Sequence, residues 1–303
     1  MDRKTFEYLF NKVRGASKEE IMKHAKLSED EYDSMEGSFE EQIKEIQKDR
    51  EKAADIGPEF VRLTRYLYGK TSDQQKGVHR PDAIKEIKGE SIALPAVDKI
   101  EKPKLSLYDA IQNRRSTRQY SDEPLSRDEL SFLFWAGFWV KDLKSTERVE
   151  FTLRNVPSAG ARHPLECYLL INKVQGIEAG LYHYHPVKHE LVRLEKDADI
   201  ANQVYEAAMG QEMVTKSAVT FIVSAIPQRT AWRYVQRAYR YLYLDAGHVG
   251  QNISLACEAI GAGACMIGAY QDEAMNEVIG VDGREEFVIY AFSVGKKPAD
   301  TSV

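Results

Sequence analysis

Three apolar runs in the second half of the chain limit its fold most strongly. They span residues 166–171, 218–225 and 287–294, and nearly every side chain in them is apolar. Strands of this kind are buried on both faces and lie in the middle of a sheet. The longest helical pattern, from about Tyr234 to Ile260, lies between the second and third runs and is apolar on more than one face. We therefore predict an α+β sandwich, in which helices flank both faces of a central mixed, mainly antiparallel sheet.

The first hundred residues have a different texture, rich in Glu, Lys, Asp and Gln. Ser17, Ser28 and Ser38 each precede a Glu by three residues, which is the pattern of a capping box at a helix start. The end of this region is rich in Gly and Pro and is typical of an extended linker. We predict a helical N-terminal extension and linker over residues 1–104, followed by one larger domain over residues 105–303.

Charge disfavours two classes of partner. The chain of 303 residues carries 42 Lys and Arg against 47 Asp and Glu, a net charge of −5 at neutral pH. A broad attraction to nucleic acid or to an anionic membrane surface is therefore not expected. Three short N-terminal helices could imitate a helix-turn-helix DNA reader, but acidic residues are interleaved throughout them. We predict neither a nucleic-acid partner nor a membrane one.

The cysteines point to a reducing compartment. Cys167, Cys257 and Cys265 are odd in number, and none forms a Cys-x-x-Cys pair. This pattern argues against a disulfide framework or a structural zinc site. The chain also contains no apolar run long enough to span a bilayer. A cytoplasmic protein is the resulting prediction.

One basic string stands out as a candidate anion site. Arg114, Arg115, Ser116, Thr117 and Arg118 follow directly on a predicted helix. The planar fork of a guanidinium matches phosphate oxygens, and a neighbouring hydroxyl adds a further donor. In isolation the string equally suits a solvated turn. The usual glycine-rich phosphate loops of Rossmann and P-loop proteins are not present, so side chains would have to hold any phosphate.

Three segments together resemble the nitroreductase superfamily of FMN flavoproteins. They are this basic string, the Pro-Ser-Ala-Gly-Ala-Arg-His-Pro loop at residues 157–164, and the Ala-Gly-Ala-Cys-Met-Ile-Gly-Ala stretch at residues 262–269. With the run from Arg237 to His248, they resemble the SagB-type dehydrogenase branch of that superfamily. The resemblance covers roughly residues 105 to 298, and it depends on the order and spacing of the segments.

The resemblance implies which residues bind FMN. Arg114 and Ser116, with Arg115 beside them, match residues that grip the phosphate, and Arg118 matches a cation beside the pyrimidine edge of the flavin. The loop segment edges the ring, with the Ser hydroxyl and backbone groups as candidate donors. The late stretch approaches flavin N5 and O4 through its backbone, and two C-terminal lysines approach the phosphate. These further candidates are Pro157, Ser158, Ala159, Gly160, Met266, Ile267, Gly268, Lys296 and Lys297.

One position departs from the common family pattern. Ala161 stands where many nitroreductases have an Asn that hydrogen-bonds the ring, as expected of the SagB-like branch. His163 in the same loop could donate a proton to substrate, whereas Asp245 and His248 suit a core or interface role as well as catalysis. His183 and His185 have metal-compatible spacing, but a hairpin face is the expected reading and no metal site is predicted.

The implied activity is an FMN-dependent oxidoreductase that works as a homodimer. It would transfer hydride between a reduced donor such as NAD(P)H and an unidentified acceptor, a small molecule or a peptide. Because the cofactor carries the hydride step, no catalytic side chain is assigned. A SagB-like azoline dehydrogenase or oxidase acting on modified peptides is the enzyme alternative, and it ranks second because no assured Lys-Tyr pair for proton removal is found. A non-catalytic flavin-binding interaction protein is the third reading.

Overall fold

The computed structural model describes residues 2–145, 150–195 and 197–299. The chain divides into two compact units, residues 1–69 and residues 70–303. The Gly- and Pro-rich stretch that was predicted to be a linker therefore belongs to the larger unit. Among the described residues, no helix combines the length and the apolar character that crossing a membrane requires.

The first unit is helical and has a small core of its own. Its core consists of buried apolar side chains from the first three helices, with Tyr8 and Tyr32 in edge-to-face contact. The capping boxes predicted at Ser17 and Ser28 are confirmed. The one predicted at Ser38 is wrong, because its hydroxyl donates to the Ser34 carbonyl at the end of the preceding helix. The helices are α1 (Arg3–Val13), α2 (Lys18–Ala25), α3 (Glu29–Ser38), α4 (Glu40–Ala53) and α5 (Ile56–Leu63).

A seven-stranded sheet forms the centre of the larger unit. Its strands are β1 (Ser91–Ala93), β4 (Leu165–Ile171), β5 (Gly180–His185), β6 (Glu190–Glu195), β7 (Val219–Ala225), β8 (Ala262–Ile267) and β9 (Phe287–Lys296), and outside it lie β2 (Val140–Ser145) and β3 (Glu150–Arg154). The order in the sheet is β1-β6-β5-β4-β7-β9-β8, and β2 and β3 form a separate hairpin. Every strand pairing among the described residues is antiparallel, and parallel pairing occurs only as isolated bridges.

Helices cover both faces of this sheet, as predicted. They are α6 (Leu107–Asn113), α7 (Arg127–Gly137), α8 (Ile200–Ala207), α9 (Met213–Lys216), α10 (Pro227–Tyr234), α11 (Ala238–Ala259) and α12 (Asp272–Ile279). The core on one face includes Phe134, Phe221 and Phe292 and packs against α7 and α11. The core on the other face packs against α8 and α12. The three apolar runs become β4, β7 and β9, which are the neighbouring inner strands.

The long helix begins about four residues later than the sequence predicts, after a break from the preceding helix. Helix α10 ends at Tyr234 and α11 begins at Ala238, with a short 3₁₀ turn between them. Val235 at this junction has φ 51° and ψ −136°. A β-branched residue at positive φ is a true conformational outlier. The junction is therefore held by its surroundings rather than by local preference.

The predicted linker packs against the rest of the larger unit through polar contacts. The indole Nε1–H of Trp232 donates to the Val78 carbonyl at 2.9 Å, and Arg229 Nε donates to the Asp82 carbonyl at 2.8 Å. Lys85 Nζ donates to the Tyr168 hydroxyl at 2.7 Å and also pairs with Glu286. We call residues 70–94 the strap, since they run across the unit and end in β1, which pairs with β6.

Candidate functional site

The basic turn after α6 is fastened to the edge of the sheet. Ser116 forms a parallel bridge with Ala264 in β8, and the Thr117 N–H donates to the Ala264 carbonyl at 2.9 Å. The two backbones approach so closely that a Cβ on Gly263 would lie 2.5 Å from Thr117 Cβ and 2.8 Å from its Cγ2. Only glycine fits at such a contact. The structure thus brings together two of the three segments that the sequence singles out.

A surface cavity of about 700 Å³ opens beside this turn. Its lining includes Arg115, Arg118 and Lys297, whose positive charges come from both ends of the larger unit. Arg115, Ser116 and Arg118 are exposed and so are accessible to a ligand. The full lining is Asn113, Arg115, Ser116, Thr117, Arg118, Gln119, Lys297 and Pro298. This donor set, two guanidiniums and an ammonium with adjacent hydroxyl and amide groups, fits a phosphate-bearing ligand.

Two of the residues predicted to bind the phosphate do not line the cavity. Arg114 caps the C-terminus of α6 and is not among the residues that line the cavity. The Lys296 ammonium points away from the cavity, pairs with Glu129 and donates to the Ile260 carbonyl at 3.0 Å. Lys297 does line the cavity, where it pairs with Glu258 at 2.6 Å. Of the two C-terminal lysines, therefore, only Lys297 reaches the cavity.

The loop at residues 157–164 packs against α11. The Ser158 hydroxyl donates to Asp245 Oδ2 at 2.5 Å and accepts from the His163 N–H at 2.9 Å. A hydroxyl has one proton to donate. In this structure Ser158 donates it to Asp245 and not to the flavin edge, which was the expected acceptor. Pro157 and Gly160 are exposed, and Ala159 is partly exposed. Backbone groups of this loop are the remaining candidates for contact with a ligand.

The late segment at residues 266–268 ends strand β8. Met266 is partly buried and lies close to Gly250 of α11, whereas Ile267 is buried in the core on the other face. Gly268 is exposed, and a Cβ there would meet nothing within 4 Å. Four residues of strand, about 13 Å, separate Gly268 from the bridge at Ala264. Strand β8 therefore runs from the basic cavity to an open position at Gly268.

His163 does not suit the role of acid that the sequence allows it. Burial, together with the charges of Arg154 and Arg162, lowers the pKa of His163 to about 3. Its side chain is therefore neutral at neutral pH and has no readily released proton. Burial has the opposite effect on the nearby carboxylate of Asp245, whose pKa is raised.

The histidine pair of β5 makes separate contacts with carboxylates. His183 Nε2 lies 2.9 Å from Glu166, and His185 Nε2 lies 3.0 Å from Glu86. Glu166 also pairs with Arg229 at 2.5 Å in the interior. Within the described ranges, no group of three or more His, Cys, Asp or Glu residues is arranged to hold a metal ion.

Several residues that shape the site had no role assigned from the sequence. Thr117 and Tyr120 press against Gly263 and Gly295, and Asn113 and Gln119 line the cavity. Gly263 and Gly295, which face each other in the pairing of β8 and β9, are the signal that could have indicated this close approach. The contact between Asp245 and Ser158 leaves no local trace, because the two residues lie on separate elements.

Comparison with known proteins gives a consistent result. The sequence profile of the nitroreductase family matches residues 111–296. The Methanocaldococcus jannaschii protein MJ1384, whose name places it among the nitroreductases, is 33% identical over 206 residues, covering 68% of this chain and 96% of its own. The trifolitoxin-processing protein TfxB of Rhizobium leguminosarum bv. trifolii is 30% identical over 149 residues, covering 48% of this chain and 40% of its own. A solved Anabaena variabilis structure, also named for the nitroreductases, has 29% identity and a TM-score of 0.53 and covers 63% of this chain and 38% of its own.

Proposed function

Because the chain belongs to the nitroreductase family, we propose that it is an FMN-dependent oxidoreductase. It would transfer hydride between a reduced donor such as NAD(P)H and an acceptor that the residues do not identify. The observation that carries the proposal is the basic cavity. The turn that lines it is attached to β8 by the bridge between Ser116 and Ala264. FMN, when bound, would supply the hydride-accepting ring, and this chain's residues would bind and orient it.

Each part of the site has a task in this proposal. Arg115, Ser116 and Lys297 would hold the phosphate, with Arg114 supporting the turn from the end of α6. Arg118 would place its charge beside the pyrimidine edge, where reduction of the ring develops negative charge. The open backbone at Gly268 would let the ring approach β8 without a clashing side chain. Met266 and the backbone of residues 157–160 would border the ring.

We further propose that two copies of the chain form a homodimer through α6 and α11. Apolar side chains on the two helices are exposed: Leu107 by 67%, Tyr108 by 76%, Ile111 by 57%, Tyr243 by 59% and Leu244 by 58%. Apolar side chains clustered on exposed helix faces favour an interface. The basic turn follows α6 directly, so a partner on this face would adjoin the cavity. The flavin sites would then lie at the subunit boundary.

The second candidate function is an azoline oxidase acting on modified peptides. The similarity to TfxB, whose name assigns it to trifolitoxin processing, favours this reading. In such a reaction an azoline ring loses hydride to the flavin and a proton to a base, and oxygen takes up the electrons to regenerate the oxidised cofactor. A role as a non-catalytic flavin-holding protein is a third reading, in which the N-terminal helices recruit a partner.

An absorbance spectrum of the purified protein tests the cofactor first. Oxidised flavin bands should be present, and the Arg115→Ala, Arg118→Ala double variant, which removes both guanidiniums that line the cavity, should lose them. Arg284→Ala, which removes an exposed arginine outside the cavity, is the matched control and should keep them. A colourless protein that does not bind added FMN would overturn the proposal.

Stopped-flow mixing then separates the two enzymatic functions. Rapid bleaching by NADPH without oxygen supports the reductase. Absence of bleaching, together with oxygen-dependent conversion of an azoline peptide, supports the oxidase. A flavin-containing protein that does neither would favour the non-catalytic role.

A further inference from the structure

The loop at residues 157–164 is held in a strained conformation. Gly160 has φ 61°, Ala161 has φ 53° and His163 has φ 44°. Positive φ is natural for glycine but costs free energy at a residue with a Cβ. Such conformations persist only where surrounding contacts enforce them.

A short chain of hydrogen bonds closes the loop onto α11. The His163 N–H donates to Ser158 Oγ at 2.9 Å, and the Ser158 hydroxyl donates to Asp245 Oδ2 at 2.5 Å. The Ala159 N–H points to the other carboxylate oxygen of Asp245 at a longer distance of 3.4 Å. Both oxygens of one side chain therefore contact the loop just before its first residue with positive φ.

Stability alone does not explain a carboxylate at this position. Asp245 is only 4% exposed, and its carboxylate accepts hydrogen bonds from the Ser158 hydroxyl and the Ala159 N–H. Burial raises the pKa of Asp245, which shows that the charged form loses hydration there. A buried carboxylate is costly to folding even when it accepts hydrogen bonds, so its presence points to a task other than stability. The task visible in the structure is the shape of the loop.

Helix α11 also links the loop to the other side of the candidate site. Five residues beyond Asp245, or about 7.5 Å along the helix, Gly250 lies against Met266 of β8 and against Tyr290. A Cβ on Gly250 would lie 2.8 Å from the Tyr290 ring, so the helix rests directly on the sheet. The position of Asp245 is thereby fixed relative to β8. A loop fastened to Asp245 is fixed relative to β8 as well.

We propose that Asp245 is a positioning residue that holds residues 157–164 in the conformation that borders bound FMN. This inference rests on the proposed function and extends it to a residue that would not touch the cofactor. Asp245 acts through Ser158 and the backbone of Ala159. Without its two oxygens the loop relaxes, and FMN must reorder it on binding.

The test compares Asp245→Ala, Asp245→Asn and Ser158→Ala with the exposed control Asp199→Asn. FMN affinity is measured by titration of flavin fluorescence, and the free energy of unfolding without FMN is measured by urea. Asp245→Ala should weaken FMN binding by about tenfold or more, with unfolding unchanged or shifted to higher urea. Asp245→Asn keeps one acceptor oxygen and should recover part of the affinity. Ser158→Ala should resemble Asp245→Ala in FMN affinity but should lower stability, because it leaves the buried carboxylate without its hydroxyl donor. The control should alter neither quantity.

The possible outcomes separate this inference from the proposed function. A wild-type protein that binds no FMN overturns the proposed function itself. A wild type that binds FMN, with Asp245→Ala binding it equally well, overturns only the positioning role. A parallel loss of stability and affinity that Asp245→Asn does not relieve would mean that Asp245 is merely structural. Opposite movement of stability and affinity supports the proposal.

Discussion

Replacing Gly263 with Ala should force the basic turn away from strand β8. The added Cβ would lie 2.5 Å from Thr117 Cβ, an atom fixed to the backbone, whereas carbon atoms prefer separations near 3.5 Å or more. The two segments must therefore separate by roughly 1 Å. The hydrogen bond from Thr117 N–H to Ala264, now 2.9 Å, would then lie beyond normal range. Loss of the bond costs about 1 kcal/mol and overpacking about 1–3 kcal/mol.

The expected result is a loss of about 2–4 kcal/mol in the free energy of unfolding. Urea unfolding followed by tryptophan fluorescence reports it, since Trp135, Trp139 and Trp232 all belong to the larger unit. Gly268→Ala is the control: its Cβ meets nothing, so it should leave unfolding without FMN unchanged while weakening FMN binding. Gly263→Ala should lower the free energy of unfolding and also weaken FMN binding.

A double-mutant cycle identifies the colliding partner. Thr117→Gly removes the atoms that the new methyl group meets, so it should cost much less stability in the Gly263→Ala background than in the wild type. A coupling energy of about 1 kcal/mol or more is expected for residues in direct contact. Unfolding of Gly263→Ala at the wild-type urea concentration, or a coupling energy near zero, would refute the reasoning.

Three further predictions concern the junction, the loop and the C-terminal lysines. At Val235 the usual order of stability, in which alanine exceeds glycine, should invert. Val235→Gly should be more stable than Val235→Ala by about 1 kcal/mol in urea unfolding, because only glycine tolerates this backbone conformation. Equal stabilities of the two variants would count against the strain. His163 stays neutral when folded but takes up a proton below about pH 6.5 when unfolded, so stability should fall by about 1.4 kcal/mol per pH unit as the pH drops from 6.5 to 5. His163→Asn, which tolerates positive φ, should show a shallower fall, and an unchanged slope would contradict the assignment. Lys296→Met should lower stability by about 1–3 kcal/mol because it removes the ion-pair partner of Glu129, whereas Lys297→Met should mainly weaken FMN binding. The reverse pattern would exchange their roles.

Elements that depend on nearby residues were predictable from the sequence. The apolar runs that become β4, β7 and β9 identify themselves, since a strand buried on both faces needs apolar side chains at every position. The helix starts at Ser17 and Ser28 follow from a hydroxyl and a carboxylate three residues apart, and each makes the expected bonds. At Ser38 the same pattern fails because the hydroxyl finds a carbonyl in the preceding turn.

Elements that depend on distant partners were not predictable in this way. The sequence marks Ser158 and Lys296 as donors, but it does not show that they donate to Asp245 and Glu129. Their partners come from other elements of the larger unit, and no local pattern records the contact. The strap has the composition of a linker, yet its backbone carbonyls accept bonds from buried side chains of α10.

The interruption at Val235 shows how one such long-range contact can override a helical pattern. In an unbroken helix the Trp232 carbonyl would accept from the N–H four residues later. Because α10 ends at Tyr234, this carbonyl instead accepts from the Gln74 N–H of the strap at 2.9 Å, while the Trp232 indole donates to Val78. The same break leaves the Tyr234 hydroxyl so close to Gly160 that a Cβ there would lie 2.7 Å from it. The strained residue thus joins the strap, the long helix and the loop beside the candidate site, and these contacts offset the cost of its backbone conformation.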